Sequence, residues 1–175
     1  MTGFIYEEHQ ARKGHVTLQM YRKRPKTENA PVLFLVHGSS FSARSSYDLQ
    51  VPGHPGYSLM EAFAGFGYDV WTVDHEGYGR STHTESSSDI SCGVEDLKAT
   101  AEIVERVAGA KSAIYFGQSS GALRAGAFAN ACSERVSRIA FAALTYTGKG
   151  SPTLKKRAER LDEWRGHHPL VLAIP

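Results

Sequence analysis

Short, almost continuous apolar runs alternate along this chain with segments whose apolar positions recur at helical spacing. The clearest run, Val32–Val36, stops at a glycine and serines, which is typical of a strand buried on both faces of a parallel sheet. The stretch YDVWTVDHEGYGRS opens with a second such strand and ends in a glycine-rich loop. Two further strands are predicted at 112–116 and 136–146.

Four segments between and after these runs predict helices. In 92–108 the apolar residues recur every three or four positions, charged residues fill the other faces, and Gly109 provides a stop. Residues 57–66 show the same spacing and end at Gly67. Small residues predict a helix over ALRAGAFANAC, and a charged helix is predicted at 153–164.

The start of the chain predicts a hairpin rather than an alternating unit. Segments 4–8 and 15–22 mix apolar and polar residues around Lys13 and Gly14, which favours two strands at a sheet edge. The later alternation of strands and helices predicts an α/β fold with right-handed crossovers, formed by one domain over 1–175.

Composition excludes several classes of protein. The formal net charge is +2, and the basic segment YRKRPK at 21–26 is interpreted as a solvated strand end or turn, so we expect no nucleic-acid partner. No run suits a signal peptide or a membrane span, which predicts a cytoplasmic protein with no membrane partner. Cys92 and Cys132 lack ligand or disulfide spacing and are expected to be packing residues, with no metal.

The segment YFGQSSGALRAG carries the strongest chemical signal. A serine hydroxyl is a weak nucleophile until it is exposed on a sharp strand-to-helix turn beside oxyanion donors. Ser119 lies between a predicted strand and a predicted helix, in an elbow formed with Gly117, Gln118 and Gly121. The backbone amide of Ser120, at the start of the helix, is a candidate oxyanion donor.

A second loop, HGSSFS, follows the strand Val32–Val36 directly. A tetrahedral intermediate needs at least two amide donors, and a loop at the carboxyl end of a neighbouring strand can supply one. Gly38, after His37, lets this backbone turn tightly, and the amide of Ser39 is the candidate donor.

With HGSSFS, DHEGYGRS and GQSSG in this order, residues 4–165 resemble the N-terminal part of an α/β-hydrolase fold protein. The resemblance implies a mostly parallel sheet flanked by helices, Ser119 as nucleophile, no cofactor and a small-molecule acyl substrate. It also implies that DHEGYGRS shapes the sheet, so Asp74, His75 and Glu76 are expected to be structural, although His75 could line the mouth of a pocket. In the segment 46–64, Tyr47, His54 and Tyr57 are expected on a surface loop, with Tyr47 as a possible pocket residue.

The family pattern is incomplete after the elbow. In the family an acid and then a histidine follow the nucleophile, but the only later histidines here are His167 and His168, just before the apolar run PLVLAIP. None of the later carboxylates matches the acid, because all fall in or beside predicted helices: Glu134, Glu159, Asp162 and Glu163.

Two interpretations of the C-terminus stay open. Either PLVLAIP is a seventh strand of a C-terminally incomplete fold, or HHPLVLAIP is an unrelated tail. Both leave an open, apolar parallel edge, which predicts a homo-oligomer, a complementing chain or missing sequence.

The sequence therefore predicts a serine hydrolase that acts by acyl transfer on an ester, thioester or amide and is nearly inactive as this chain alone. An acyltransferase would use the same acyl-enzyme with an alcohol or thiol in place of water. The alternative from another class is a non-catalytic α/β-hydrolase module that binds a small molecule or a partner protein.

Overall fold

The computed structural model describes residues 3–86, 88–144, 147 and 149–160. Within these residues one mixed sheet has the strand order β1-β2-β4-β3-β5-β6. β1 and β2 form an antiparallel hairpin, β2 pairs antiparallel with β4, and β4, β3, β5 and β6 run parallel. The strands are β1 Ile5–Lys13, β2 Val16–Arg24, β3 Val32–Val36, β4 Asp69–Val73, β5 Ala113–Gln118 and β6 Val136–Ala142.

Helices cover both faces of this sheet. One core layer packs the long helix α3 and the helix after the elbow, α4, against the strands, and Trp71 lies on this side. The opposite layer packs α1 and α2 against Val70 and Leu35. The predicted α/β-hydrolase type of fold, a mostly parallel sheet flanked by helices, is therefore confirmed. The helices are α1 Ala43–Tyr47, α2 Leu59–Gly65, α3 Ile90–Ala108, α4 Ser120–Ala131 and α5 Pro152–Glu159.

Local signals set the ends of α3. The Asp89 side chain accepts a hydrogen bond from the Cys92 amide, so it caps the first turn. At the other end Gly109 takes a left-handed conformation with φ 68°, which a glycine adopts without steric cost. The predicted helix over 92–108 is confirmed, and it begins two residues earlier.

The prediction of a solvated basic segment at 21–26 is wrong for Arg22 and Lys23. β2 lies between β1 and β4, so its long side chains are packed rather than exposed. The Arg22 guanidinium forms two hydrogen bonds to the Asp69 carboxylate, at 2.8 and 2.6 Å. Lys23 Nζ lies 2.5 Å from Asp48 Oδ1 and 2.8 Å from Glu61 Oε1. These contacts compensate for the burial of both cations.

The chain separates into two compact units, Met1–Leu144 and Thr145–Pro175. In the second unit, α5 begins after Ser151, whose side chain accepts a hydrogen bond from the Leu154 amide. The predicted helix over 153–164 is confirmed as far as Glu159, and the run PLVLAIP lies outside the described residues. A single domain over 1–175 stays a prediction. No described helix has the length and apolar character needed to cross a membrane.

Candidate active site

Ser119 occupies the turn between β5 and α4. Its backbone has φ 55° and ψ −125°, a conformation that non-glycine residues rarely adopt and that functional sites often retain. The Ser119 amide donates to the Ala142 carbonyl of β6 at 2.9 Å, which anchors the turn to the sheet. The residue is exposed, so its hydroxyl is accessible at the carboxyl end of the parallel strands.

The two elbow glycines are sterically required. A Cβ on Gly117 would lie 2.6 Å from the Ala122 Cα atom, and one on Gly121 would lie 2.2 Å from the Val36 carbonyl oxygen. Both distances are far below van der Waals contact, and both neighbours are backbone atoms. A side chain at either position would therefore collide with backbone atoms, whereas Gln118 is exposed at the end of β5.

The loop after β3 lies directly against the elbow. A Cβ on Gly38 would lie 2.9 Å from the Gln118 carbonyl oxygen and 3.0 Å from the Ser119 Cβ, so only glycine allows this approach. The side-chain oxygens of Ser39 and Ser120 are 2.9 Å apart and share a hydrogen bond. The structure thus brings together the two segments whose amides are the candidate oxyanion donors.

His37 forms hydrogen bonds inside the protein that hold the same loop in place. Its side chain is fully buried, Nδ1 lies 2.7 Å from the Gly38 carbonyl oxygen, and Nε2 accepts the His75 amide at 3.1 Å. Burial, reinforced by the neighbouring His75, holds the pKa of His37 well below its usual value. With both ring nitrogens engaged, the neutral imidazole has no free nitrogen to take a proton from Ser119.

Asp74 organises the loop DHEGYGRS. Its carboxylate accepts hydrogen bonds from the Ala43 amide and the Tyr21 hydroxyl at 2.8 Å, and from the Arg80 amide at 2.9 Å. A Cβ on Gly79 would lie 2.2 Å from Asp74 Oδ2, so the glycine makes room for this carboxylate. The contacts are those of a structural residue, as the sequence predicts.

The side chain of His75 is fully buried. Its Nδ1 lies 3.0 Å from Asp96 Oδ2, and burial lowers its pKa even though Asp96 opposes this effect. The neutral ring therefore donates from Nδ1 to the Asp96 carboxylate. This arrangement fits the structural role expected for His75, and a contact with substrate stays a prediction.

Tyr47 is buried, which corrects the expectation of a surface-loop residue. Its hydroxyl donates to the Val36 carbonyl at 2.8 Å, and burial raises its pKa. The reason is that α1, which the sequence did not predict, turns this side chain toward the sheet. His54 and Tyr57 are exposed, as expected, and a pocket role for Tyr47 stays a prediction.

The structure also contains a charged cluster around Asp96, the partner of His75, that was not predicted. Three potential ligand atoms, one from each side chain, lie within 4.8 Å of one another, a geometry that could hold a metal ion; they belong to Glu76, Cys92 and Asp96. The Lys13 ammonium, however, lies 2.6 Å from Glu76, 2.5 Å from Asp96 and 3.2 Å from the Cys92 sulfur. This lysine supplies the positive charge that a cation would bring. The sequence gives no signal for the cluster, because its members come from three separate elements.

The partners that Ser119 needs are not found in the part of the chain that the structure describes. No histidine follows Ser119 there, and His167 and His168 lie outside it together with Asp162 and Glu163. Glu134 lies in the 3₁₀ turn Ser133–Arg135 and Glu159 ends α5. The interpretation of these two carboxylates as residues in or beside helices is confirmed.

Comparisons with known proteins agree with the fold described above. The family described as serine aminopeptidase, S33, matches residues 56–167. A carboxylesterase from Bacillus subtilis has a TM-score of 0.66 at 21% identity, over 90% of this chain and 50% of its own. Epoxide hydrolase A from Mycobacterium thermoresistibile has a TM-score of 0.61 at 25% identity, over 89% and 45%.

A hydrolase from Thermoplasma acidophilum, described as predicted to be CIB-like, has a TM-score of 0.60 at 18% identity, over 79% of this chain and 63% of its own. The chain thus spans between 45% and 63% of the length of these three structures. No curated protein matches the chain.

Proposed function

The chain belongs to the serine aminopeptidase, S33, family of α/β hydrolases, and we propose that it acts as a serine hydrolase by acyl transfer from an ester, thioester or amide to Ser119. The observation that carries the proposal is the exposed Ser119 on a backbone turn with φ 55°, between β5 and α4. A strained turn of this kind has no evident packing role, and it presents the hydroxyl to solvent and to substrate.

In the proposed reaction the Ser119 Oγ attacks the acyl carbon and gives a tetrahedral oxyanion. The amides of Ser39 and Ser120 donate to that oxygen. The Ser120 amide belongs to the first turn of α4, where backbone N–H groups have no partner within the helix. The close approach of Gly38 to Ser119 supports the placement of the Ser39 amide near the same point.

Collapse of the intermediate breaks the bond to the leaving group, which takes up the proton released by Ser119 and departs as an alcohol, thiol or amine, and an acyl-enzyme remains. Water then releases the acid. If an alcohol or thiol takes the place of water, the same intermediate gives acyltransferase activity. The proposed mechanism requires no cofactor.

The described residues after Ser119 include no histidine that could accept its proton. Loss of the histidine costs on the order of a million-fold in turnover in a serine protease, and oxyanion and binding interactions retain roughly a thousand- to ten-thousand-fold over water. We therefore expect slow turnover by this chain alone, and robust Ser119-dependent turnover by a monomer would contradict this expectation.

The alternative is a non-catalytic binding module with the same fold. The observation that favours it is that no histidine follows Ser119 within the described residues. A binding module, however, has no need for an exposed serine on a strained turn, nor for the close approach of Gly38, in the loop after β3, to that serine.

Fluorophosphonate labelling separates the two functions, because oxyanion donors make a serine react with the probe faster than an ordinary surface serine even when no base is positioned beside it. The experiment compares the wild-type chain with Ser119→Ala and with Ser45→Ala, which removes another exposed serine, in α1. Because the described residues supply candidate oxyanion donors but no base for Ser119, we expect slow labelling of the wild-type chain and of Ser45→Ala, with the adduct located on Ser119 by peptide mass spectrometry. An unlabelled wild-type chain, or equal labelling of Ser119→Ala, would overturn the proposed function.

A further inference from the structure

Arg124 is a buried arginine without a carboxylate partner among the described residues. It lies at the start of the second turn of α4 and is 2% exposed. Its one hydrogen bond in this part of the chain runs from Nη2 to the Ser88 carbonyl, at 2.7 Å, and neither Nε nor Nη1 has a partner there. The Ser88 hydroxyl is also buried and unpartnered. Buried polar groups are nearly always hydrogen-bonded, so these donors require an acceptor.

The residues around Arg124 enclose its side chain. Helix α3 approaches so closely that a Cβ on Gly93 would lie 2.4 Å from Arg124 Cδ and 2.7 Å from its Nε. The guanidinium carbon lies over the Tyr78 ring, 5.7 Å from its centre. Because these described residues already bury the side chain, an acceptor must fit between them instead of covering them from outside. Only a small ligand can do so.

None of the described neighbouring side chains is a hydrogen-bonded counter-ion for Arg124. Burial lowers the pKa of both His37 and His75, and the charge of Arg124 lowers it further, so both rings are neutral. The Asp96 carboxylate, which bonds to His75, takes its other hydrogen bonds from Lys13 and from a backbone amide. The positive charge of Arg124 therefore has no direct partner in this layer of the protein.

Two helix N-termini add positive potential at the same place. Gly93 lies in the first turn of α3, and Arg124 lies close to the start of α4. Backbone N–H groups in such turns carry the positive end of the helix dipole. The carboxylate of Asp89, which caps α3, accepts the Cys92 amide and is exposed. A buried cation beside two helix N-termini favours an anion over a neutral acceptor such as water.

We propose that Arg124 and the Ser88 hydroxyl bind a small monocarboxylate anion, of the size of formate, inside the protein between the N-terminal parts of α3 and α4. The two oxygens of a carboxylate match the fork of a guanidinium, and their remaining lone pairs can accept the Ser88 hydroxyl. The single negative charge compensates that of Arg124. The enclosed position selects a free ion over a carboxylate carried by a larger substrate. The inference does not depend on the proposed catalytic function.

Stability in formate and in gluconate tests both the charge and the size of the ligand. Sodium gluconate is replaced stepwise by sodium formate at constant sodium concentration, and urea denaturation gives the free energy of unfolding of the full chain. Gluconate carries the same carboxylate but is too large for an enclosed site. Since formate would bind the folded chain alone, we expect the ratio of folded to unfolded chain to rise about a hundredfold when formate reaches a hundred times its dissociation constant.

Substitutions then locate the formate dependence. Arg124→Met removes the guanidinium and should abolish the dependence. Arg106→Met, the same change at an exposed arginine of α3, is the matched control and should retain it in full. Ser88→Ala should raise the formate dissociation constant by about tenfold or more, as expected for the loss of one hydrogen bond to a charged group.

The Arg124 Nε–H group reports binding directly. In the proton–nitrogen correlation spectrum of the wild-type chain, its resonance is the one that Arg124→Lys lacks. We expect this resonance to shift with formate until the site is saturated, with the same dissociation constant as in urea denaturation, and to stay in place in gluconate.

Three results would overturn the proposal. Equal effects of formate and gluconate on the stability of the wild-type chain would show that no small carboxylate binds and that a neutral group satisfies the donors. A formate dependence that persists in Arg124→Met would place the site elsewhere. An Arg124 Nε resonance that formate leaves unchanged would exclude binding at this arginine, even if Arg124→Met failed to fold.

Discussion

The hydroxyls of Ser39 and Ser120 lie 2.9 Å apart, and their hydrogen bond joins the loop after β3 to the first residue of α4. These are the two residues whose amides are proposed to hold the oxyanion. The side-chain bond fixes the relative position of two backbone segments that are far apart in the sequence. We infer that it maintains the spacing of the two donors.

Removing either hydroxyl should slow the reaction of Ser119. One exposed hydrogen bond is worth about 1 kcal/mol, so Ser39→Ala and Ser120→Ala are each expected to reduce the rate of fluorophosphonate labelling by about fivefold. The double variant should lose little more than either single variant, because both remove the same bond. Additive losses, or unchanged rates with unchanged unfolding midpoints, would contradict a role for this bond.

A side chain at Gly121 should disrupt the packing of α4 on β3. A Cβ there would lie 2.2 Å from the Val36 carbonyl oxygen and 2.5 Å from that of His37, and backbone atoms cannot rotate away. We expect Gly121→Ala to lower the free energy of unfolding by about 3 kcal/mol or more.

Gly126→Ala is the matched control for this steric effect. It lies in the same helix, its nearest neighbour would be the Phe141 ring at 3.4 Å, and alanine favours the helix by roughly 0.5–1 kcal/mol. Urea denaturation of both variants is the measurement. A small effect at Gly121 would refute the steric explanation.

Local patterns were sufficient to predict much of the fold. The continuous apolar run predicts β3 at its observed bounds, and the helical spacing over 92–108 predicts α3 to within two residues. These elements are long or uniformly apolar, so their periodicity is unambiguous. The five-residue α1 is too short for its apolar spacing to form a recognisable pattern.

Contacts between distant segments explain what the sequence could not predict. Arginine is usually exposed to solvent, so the sequence predicts an exposed Arg22, but its carboxylate partner Asp69 lies on another strand. Lys13 and Asp96 are on β1 and α3, and only the folded chain brings them together. The glycine and serine spacing of the elbow is local, so the sequence alone could predict Ser119 as the nucleophile. No histidine in the printed sequence lies at the position that the motif predicts for its base.

The cluster around Lys13 predicts a loss of stability in acid. Burial raises the pKa of Glu76, but hydrogen bonds from Lys13, Thr84 and Ser86 outweigh it and lower the pKa to about 2. A carboxyl with a depressed pKa stabilises the fold at pH values above its unfolded pKa of 4.5, and this stability is lost as the pH falls toward 2.

Substitution of Glu76 should change that acid dependence. The wild-type chain should lose on the order of 2–3 kcal/mol from this group between pH 5 and pH 2, and Glu76→Gln should show a flatter profile there with lower stability at pH 7. Urea denaturation at a series of pH values provides the measurement. Glu95→Gln, an exposed carboxylate of α3 paired with Lys98, serves as control. If the free energy of unfolding of Glu76→Gln still fell with pH as steeply as that of the wild-type chain, Glu76 would not be the cause of the acid dependence.

An added base should increase turnover if Ser119 is limited by the lack of a histidine among the described residues that follow it. Imidazole at millimolar concentration can accept the Ser119 proton, since the residue is exposed at the carboxyl edge of the sheet. General base catalysis contributes roughly a hundred- to ten-thousand-fold when the base is positioned, so a free base should give about tenfold or more.

The measurable quantity is the rate of p-nitrophenyl ester hydrolysis by the wild-type chain minus that by Ser119→Ala at the same imidazole concentration. Subtraction removes the reaction of imidazole with the ester in solution. The difference should rise with imidazole and follow the neutral form of the base as the pH increases, and Ser45→Ala should behave as the wild-type chain does. If the wild-type chain and Ser119→Ala respond equally, imidazole is not acting through Ser119, and the missing base does not explain the slow turnover.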